Sequence, residues 1–260
     1  MNKRTRFLIS IGILLFLAGL WFVIALLPSQ AHDFSNVRVI AHRGYDAPDN
    51  SLLAYENAAN AGFEYVETDV RFTKDNIPIC IHDVKVDDIS DGQGFVEELT
   101  LREIQSMNFC GSKILLFEDF VAFCADHKLS PYVDIKNYSS YTKEQMKILV
   151  DMISSAGLSD DTTWISYDFQ YLRWISKYNP TARLGLISSS VGRNVISAAE
   201  LLKTKENEVF IDTGSVSAQG VELCKAADIP LECWTLRRVP DKRTYIDPYI
   251  SGFTTDCILD

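Results

Sequence analysis

Seven ionisable residues fall on or beside apolar, strand-like runs, and their types suit proton transfer, anion binding and cation binding. His42 and Arg43 close VRVIAHR (37–43), Glu67 and Asp69 lie in YVETDV (65–70), His82 in ICIHDV (79–84), and Asp134 and Lys136 in YVDIK (132–136). Side chains alternate along a strand, so Glu67 and Asp69 share one side, as do Asp134 and Lys136. Three carboxylates drawn together repel unless a cation sits among them. Oxygen donors without thiolates suit one hard divalent ion, Mg²⁺ or Ca²⁺. Histidine, with an unperturbed pKa of about 6.5, suits acid and base roles near neutrality. Taken singly, each piece has an ordinary structural reading: Glu-x-Asp as a solvated strand, Lys136 as a rim charge, His42 as a core histidine beside a snorkelling Arg43. Together on one face they are costly to keep without a ligand.

Such convergence needs parallel strands whose C-terminal ends share one mouth. Eight runs read as strands: 37–43, 65–70, 132–136, 162–167, 183–188, 208–212, 231–235 and 252–256. Helix-like segments follow most of them, at 51–61, 142–156, 170–178, 195–203 and 218–227. This alternation in a chain of 260 residues predicts an α/β fold, the TIM (β/α)₈ barrel, which typically takes about 250 residues. Two departures are expected. TKDNIP (73–78) reads as a turn, so ICIHDV returns as the second arm of an inserted β-hairpin and carries His82 back beside Asp69. The sequence also ends at Asp260, directly after the eighth run, so a final outer helix is not expected.

A net charge of −10 argues against nucleic acid as partner, because binding a phosphate backbone needs a basic surface. Any phosphate must be recognised by a few local cations or a metal. Residues 1–6, MNKRTR, carry three positive charges, and residues 7–27 form an uncharged apolar run of transmembrane length. The run exceeds the ~7–15 residues of a cleaved signal's apolar core, so an uncleaved anchor is favoured despite the weak cleavage site at Ser29-Gln30-Ala31. The expected organisation is therefore one N-terminal transmembrane helix and short linker (1–31), then a barrel domain (32–260). Basic residues before the span place the domain outside the cytoplasm, on a single-pass cell-membrane protein. Six scattered cysteines (80, 110, 124, 224, 233 and 257) show no metal-ligand spacing. Cys80 and Cys233 in strand-like runs, and Cys124 and Cys224 in helix-like ones, read as buried free thiols. The oligomeric state is not legible.

The ordered series HRG, PDNS, ETDVRFTKDNIPICIHD, YVDIK, CWT and GFTTD resembles the glycerophosphodiester phosphodiesterase family over about residues 37–257. The resemblance implies a TIM barrel that uses one divalent cation to hydrolyse glycerophosphodiesters, small-molecule substrates, to glycerol phosphate and an alcohol. On matching positions, it implies His42 and His82 as the acid/base pair and Glu67, Asp69 and Asp134 as metal ligands. Arg43, Lys136 and Trp234 would contact substrate. The family usually carries Pro-Glu-Asn where this chain has Pro48-Asp49-Asn50, and Glu in place of Asp134; both exchanges shorten a carboxylate by one methylene. Which histidine is the acid, and whether water or the substrate's own hydroxyl attacks, stay open. Two alternatives are a lipase-like barrel acting on lysophospholipids or sphingomyelin, and a catalytically silent binding module. The acidic segment 85–97 lacks an aromatic cluster for lipid insertion and favours soluble substrates.

Overall fold

The computed structural model of the protein describes residues 37–109, 111–137, 140–238 and 246–258. The expected N-terminal span and Cys110 lie outside them. Among the described residues no helix is long and apolar enough to cross a membrane. Ten strands follow in chain order: β1 (Arg38–Ala41), β2 (Tyr65–Phe72), β3 (Pro78–Cys80), β4 (Leu115–Leu116), β5 (Ser130–Ile135), β6 (Thr163–Ser166), β7 (Arg183–Ser188), β8 (Val209–Thr213), β9 (Leu231–Leu236) and β10 (Ile250–Thr255). All but β3 and β4 run parallel, and β1 pairs with both β2 and β10, which closes the expected eight-stranded barrel.

The runs form strands because both of their faces are buried. Ile40, Tyr132, Ile165, Ile187 and Phe210 fill the inside of the barrel. Their alternate neighbours, such as Ala41, Val133, Trp164, Leu186 and Ile211, join the outer core beneath the helices. Those helices are α1 (Leu52–Asn60), α2 (Leu101–Ser106), α3 (Phe117–His127), α4 (Lys143–Ser155), α5 (Phe169–Tyr178), α6 (Arg193–Leu202) and α7 (Ala218–Ala227). Ser51, Asp168 and Ser217 cap α1, α5 and α7, and Thr142 forms a capping box with Gln145 at α4; each such cap is worth about 1 kcal/mol. Helix α3 extends the helix-like stretch around Cys124 into a full outer-layer element, with Phe117, Phe120, Val121, Phe123 and Cys124 buried.

Arg183 anchors the barrel interior below the mouth. Its guanidinium bonds Glu232 Oε1 at 2.7 Å and the Tyr132 hydroxyl at 2.9 Å, and lies over the Phe210 ring at 4.0 Å. Removing one partner of such a buried pair typically costs about 3–5 kcal/mol.

Several strand ends differ from the sequence expectation, three of them with a clear consequence or by two residues. β2 does not stop at Val70 but runs to Phe72, because the hairpin adds antiparallel pairs Val70↔Cys80, Arg71↔Ile79 and Phe72↔Pro78. Glu67 and Asp69 therefore lie within the strand rather than at its tip. β1 ends at Ala41, leaving His42 and Arg43 on the following loop, and β10 starts at Ile250 rather than Gly252. The hairpin itself is as expected, and Ile81 N donates to Asp69 O at 2.9 Å. Beyond it, Ile79, Ile81, Val86, Val96, Ile104 and Phe109 make a small core of their own.

Arg43 (φ 55°) adopts the left-handed conformation, and Gly44 (φ 91°) follows it. A Cβ on Gly44 would lie 2.5 Å from Ala54 Cβ and 2.7 Å from Ala54 C, so this turn is packed against α1 too closely for any side chain. Gly44→Ala is expected to lower the unfolding free energy by about 2–4 kcal/mol, from backbone strain plus overpacking. Urea unfolding checks this, and an unchanged midpoint would show that the turn relaxes freely.

Candidate active site

The mouth is built around three carboxylates. Asp69 on β2 sits in register with Asp134 on β5, and Glu67 precedes Asp69 on the same inward face. One oxygen from each of Glu67, Asp69 and Asp134 falls within a cluster spanning 4.8 Å, and all three side chains are buried. Burial, then the neighbouring Asp69 charge, pushes Glu67 well above the usual carboxylate range, and burial likewise raises Asp134 against the pull of Lys136. Burial would raise Asp69 too, but the Lys136 and Arg43 charges outweigh it and hold Asp69 below that range. Asp69 is thus the charged centre of the group.

Two cations and one amide organise it. Lys136 Nζ lies 2.6 Å from Asp69 Oδ1 and 2.5 Å from Asp134 Oδ2. Arg43 Nη1 donates to Asp49 Oδ2 at 2.8 Å, and its backbone N–H donates to Glu67 Oε2 at 2.9 Å. Its Nε lies 3.0 Å from Asp69 Oδ2, close enough for an ion pair but off the line of a hydrogen bond. Burial disfavours both side-chain charges, but the surrounding carboxylates, Asp69 foremost, together outweigh it and raise the pKa of each. Asn50, also left-handed (φ 57°), donates from Nδ2 to Asp69 Oδ2 at 2.8 Å. Its Oδ1 accepts from Tyr55, Thr68 and the Asp69 backbone, each at 3.1 Å. The amide therefore fixes the rotamer of Asp69, a role for the Asn of Pro-Asp-Asn that spacing alone did not reveal.

A divalent cation fits this donor set. Three oxygen donors on adjacent paired strands match a hard ion. With Asp49 on Arg43 counted beside the triad, four carboxylates against two fixed cations leave two excess negative charges when all are ionised, which one divalent ion would balance.

Each histidine is held by a carboxylate. His42 Nδ1 lies 2.7 Å from Asp256 Oδ1, and His82 Nδ1 lies 2.7 Å from Asp83 Oδ1. A carboxylate only accepts, so Nδ1 carries the proton and Nε2 is left as the reactive nitrogen. Burial, then the Arg43 charge, lowers the pKa of His42, opposed by Asp256. Both imidazoles are within electrostatic reach of Asp69. Asp83 and Asp256 had no role in the sequence reading, although an acidic residue at the end of a barrel strand was a usable signal for Asp256.

A cavity of about 250 Å³ opens beside His82 and Arg43, between the β1–α1 loop and the hairpin insertion, with Pro48, Ile81, Phe109 and Ile114 among its walls. Trp234 on β9 is not drawn into the charged cluster. Its indole lies against Gly214 and meets the Tyr167 ring edge-on at 6.3 Å. As expected, Cys80, Cys124, Cys224 and Cys233 are buried free thiols.

The sequence pattern described as the Glycerophosphoryl diester phosphodiesterase family matches residues 42–259. Glycerophosphodiester phosphodiesterase 1 of Homo sapiens is 37% identical over 123 residues, covering 43% of this chain and 37% of that protein, so the match spans little more than a third of the relative. The glycerophosphodiester phosphodiesterase of Caldanaerobacter subterraneus subsp. tengcongensis is 26% identical over 229 residues, 84% of this chain and 93% of that one. Among solved structures, an Oleispira antarctica phosphodiesterase in complex with the product sn-glycerol-3-phosphate superposes with a TM-score of 0.73 at 19% identity, covering 84% of this chain and 92% of that chain. A Thermotoga maritima glycerophosphodiester phosphodiesterase gives 0.66 at 19% identity, covering 85% and 94%. At these identities the two structures establish the shared barrel fold.

Proposed function

Because the chain belongs to the glycerophosphoryl diester phosphodiesterase family, we propose that it hydrolyses glycerophosphodiesters to glycerol phosphate and an alcohol with the help of one divalent cation. The observation that carries this reading is the pairing of a clustered carboxylate triad with two histidines whose Nδ1 atoms are each engaged by an aspartate. Glu67, Asp69 and Asp134 would hold Mg²⁺ or Ca²⁺, which supplies neutralising charge for the phosphate oxygens. Arg43 and Lys136 orient the anionic phosphate and stabilise the charge that builds on it in the transition state. One neutral imidazole accepts at Nε2 the proton of the attacking hydroxyl, while the other, protonated as an imidazolium, donates its Nε2 proton to the oxygen of the departing alcohol. Asp83 and Asp256 hold Nδ1–H of each ring, which turns Nε2 toward the substrate in the base and stabilises the imidazolium of the acid. The apolar run 7–27, preceded by three cationic residues, supports an anchored protein with this domain outside the cytoplasm.

The test compares glycerophosphocholine, lysophosphatidylcholine and a glycerol-phosphate polymer as substrates of the full-length chain, each with and without chelator. Turnover of glycerophosphocholine that stops with chelator and returns with Mg²⁺ or Ca²⁺ is the expected result. Faster turnover of lysophosphatidylcholine would favour the membrane-lipid alternative, and no turnover of any of the three would favour the silent module.

A further inference from the structure

Among the described residues, one buried carboxyl group of the barrel serves neither the triad, nor a histidine, nor a salt bridge. Along β8 the inward residues are Phe210, which belongs to the interior cluster, and then Asp212; Ile211 between them faces the outer core. Asp212 lies in register with Ile187 on β7 and Glu232 on β9, two residues nearer the mouth than Phe210. It is buried, and its Oδ1 has no hydrogen-bond partner. The nearby cations are committed elsewhere: Arg183 to Glu232 and Glu208, Lys136 to Asp69 and Asp134, Arg43 to Asp49 and Asp69. Asp212 also stands outside the carboxylate cluster that could hold a metal.

Buried carboxyl oxygens are rarely left unpaired, since the group forfeits its hydration and gains nothing in exchange. A second orphan stands close by. Trp234 Nε1, on the adjacent strand, is likewise buried and unpartnered. The indole lies against Gly214, where a Cβ would come within 3.0 Å of Trp234 Cζ2 and 3.4 Å of Cε2, the carbon bonded to that nitrogen. Gly214 is the next inward position after Asp212. One unpaired acceptor and one unpaired donor on neighbouring inward positions match an alcohol hydroxyl, which offers one of each.

We infer that Asp212 is a specificity residue of the barrel mouth, which takes a free hydroxyl of the substrate's glycerol moiety, with the Trp234 N–H as the second partner. This rests on the glycerophosphodiester reading above and adds to it a residue for the part of the substrate that does not react. A glycerol hydroxyl seated there aligns the phosphate from a fixed point, so the contact contributes mainly to binding and little to the chemical step.

The test uses the full-length chain and two diesters, glycerophosphocholine and the glycerol-free bis(p-nitrophenyl) phosphate, with glycerol 3-phosphate and inorganic phosphate as competing inhibitors. Asp212→Leu is expected to raise the KM for glycerophosphocholine and the inhibition constant of glycerol 3-phosphate by about tenfold or more, the worth of one buried hydrogen bond. Hydrolysis of the glycerol-free diester and inhibition by phosphate should stay within about threefold, and Asp212→Asn, which keeps an acceptor, should recover most of the loss. The thermal midpoint of Asp212→Leu should equal or exceed that of the wild type, because an unpaired polar group has been removed from the interior. A lowered midpoint with equal losses on both diesters would assign Asp212 a structural role, and unchanged constants would leave it bonded to an ordered water; either overturns the inference. Should Asp212→Leu fail to fold, Asp212→Ser carries the same comparison. A wild-type chain that spares glycerophosphocholine would defeat the functional reading, whereas the contrast between glycerol 3-phosphate and phosphate would still decide Asp212.

Discussion

Replacing His42 or His82 by alanine is expected to lower the turnover of glycerophosphocholine by at least about 10²-fold, the usual worth of a positioned acid or base. Neither change should unfold the protein. The side chains are 19% and 43% exposed, so His82→Ala should cost within about 0.5 kcal/mol, and His42→Ala, which truncates a mostly buried ring, about 1–3 kcal/mol, less than the total stability of a typical domain. Each replacement also frees an aspartate, Asp256 or Asp83, whose exposure lets water take over its bond. The loss should appear in kcat rather than KM, because proton transfer is made only in the transition state. Asp256→Asn supplies a graded control: it keeps the shape of the His42 partner but no longer fixes the tautomer, so an intermediate loss is expected. Its effect on titration has a definite sign. Burial and Arg43 already lower the pKa of His42 while Asp256 opposes them, so the NMR midpoint of His42 should lie below the ordinary value of about 6.5 and fall further in Asp256→Asn. Near wild-type turnover in either alanine variant would remove that histidine from the acid/base pair.

Asp134→Asn is expected to raise the Mg²⁺ or Ca²⁺ concentration for half-maximal activity by at least about tenfold, with saturating ion restoring part of the rate. Asp134 reaches the cluster from β5 with a side chain one methylene shorter than the glutamate usual in the family, and it also bonds Lys136 Nζ at 2.5 Å. The contact with Lys136 supports a competing account in which Asp134 only anchors the lysine. The two accounts part in the metal titration. If Asp134 serves only Lys136, the substitution shifts the KM for substrate and leaves the titration superimposable on wild type. If it is a ligand, the titration moves, and Asp134→Glu is tolerated far better than Asp134→Asn because the charge is kept.

Much of this site was legible without coordinates. The apolar runs and the helix-length segments between them specify alternating strands and helices, and eight of the former in one domain call for a closed parallel barrel. Alternation along a strand was enough to put Glu67 with Asp69 and Asp134 with Lys136, since that relation is local to a few residues. The turn TKDNIP was enough to return His82 to the neighbourhood of Asp69, because a hairpin fixes its own register.

What depends on register between strands remote in sequence, or on close packing, was decided only in the tertiary structure. Asp256 meets His42 across 214 residues of chain because closure sets Ala41 of β1 opposite Thr255 of β10, a relation that no local periodicity encodes. β2 outruns its expected end because pairing with β3 rewards two further residues. Arg43 takes a left-handed backbone because the Gly44 turn must press against Ala54, and this aims its N–H at Glu67. Asp212 reads in sequence like any acidic residue near a strand end. Only the packed interior, where every neighbouring cation already has a partner, leaves its Oδ1 buried and unpaired. Composition and period determine which face a residue occupies; the company it keeps there is set by the closure and packing of the barrel.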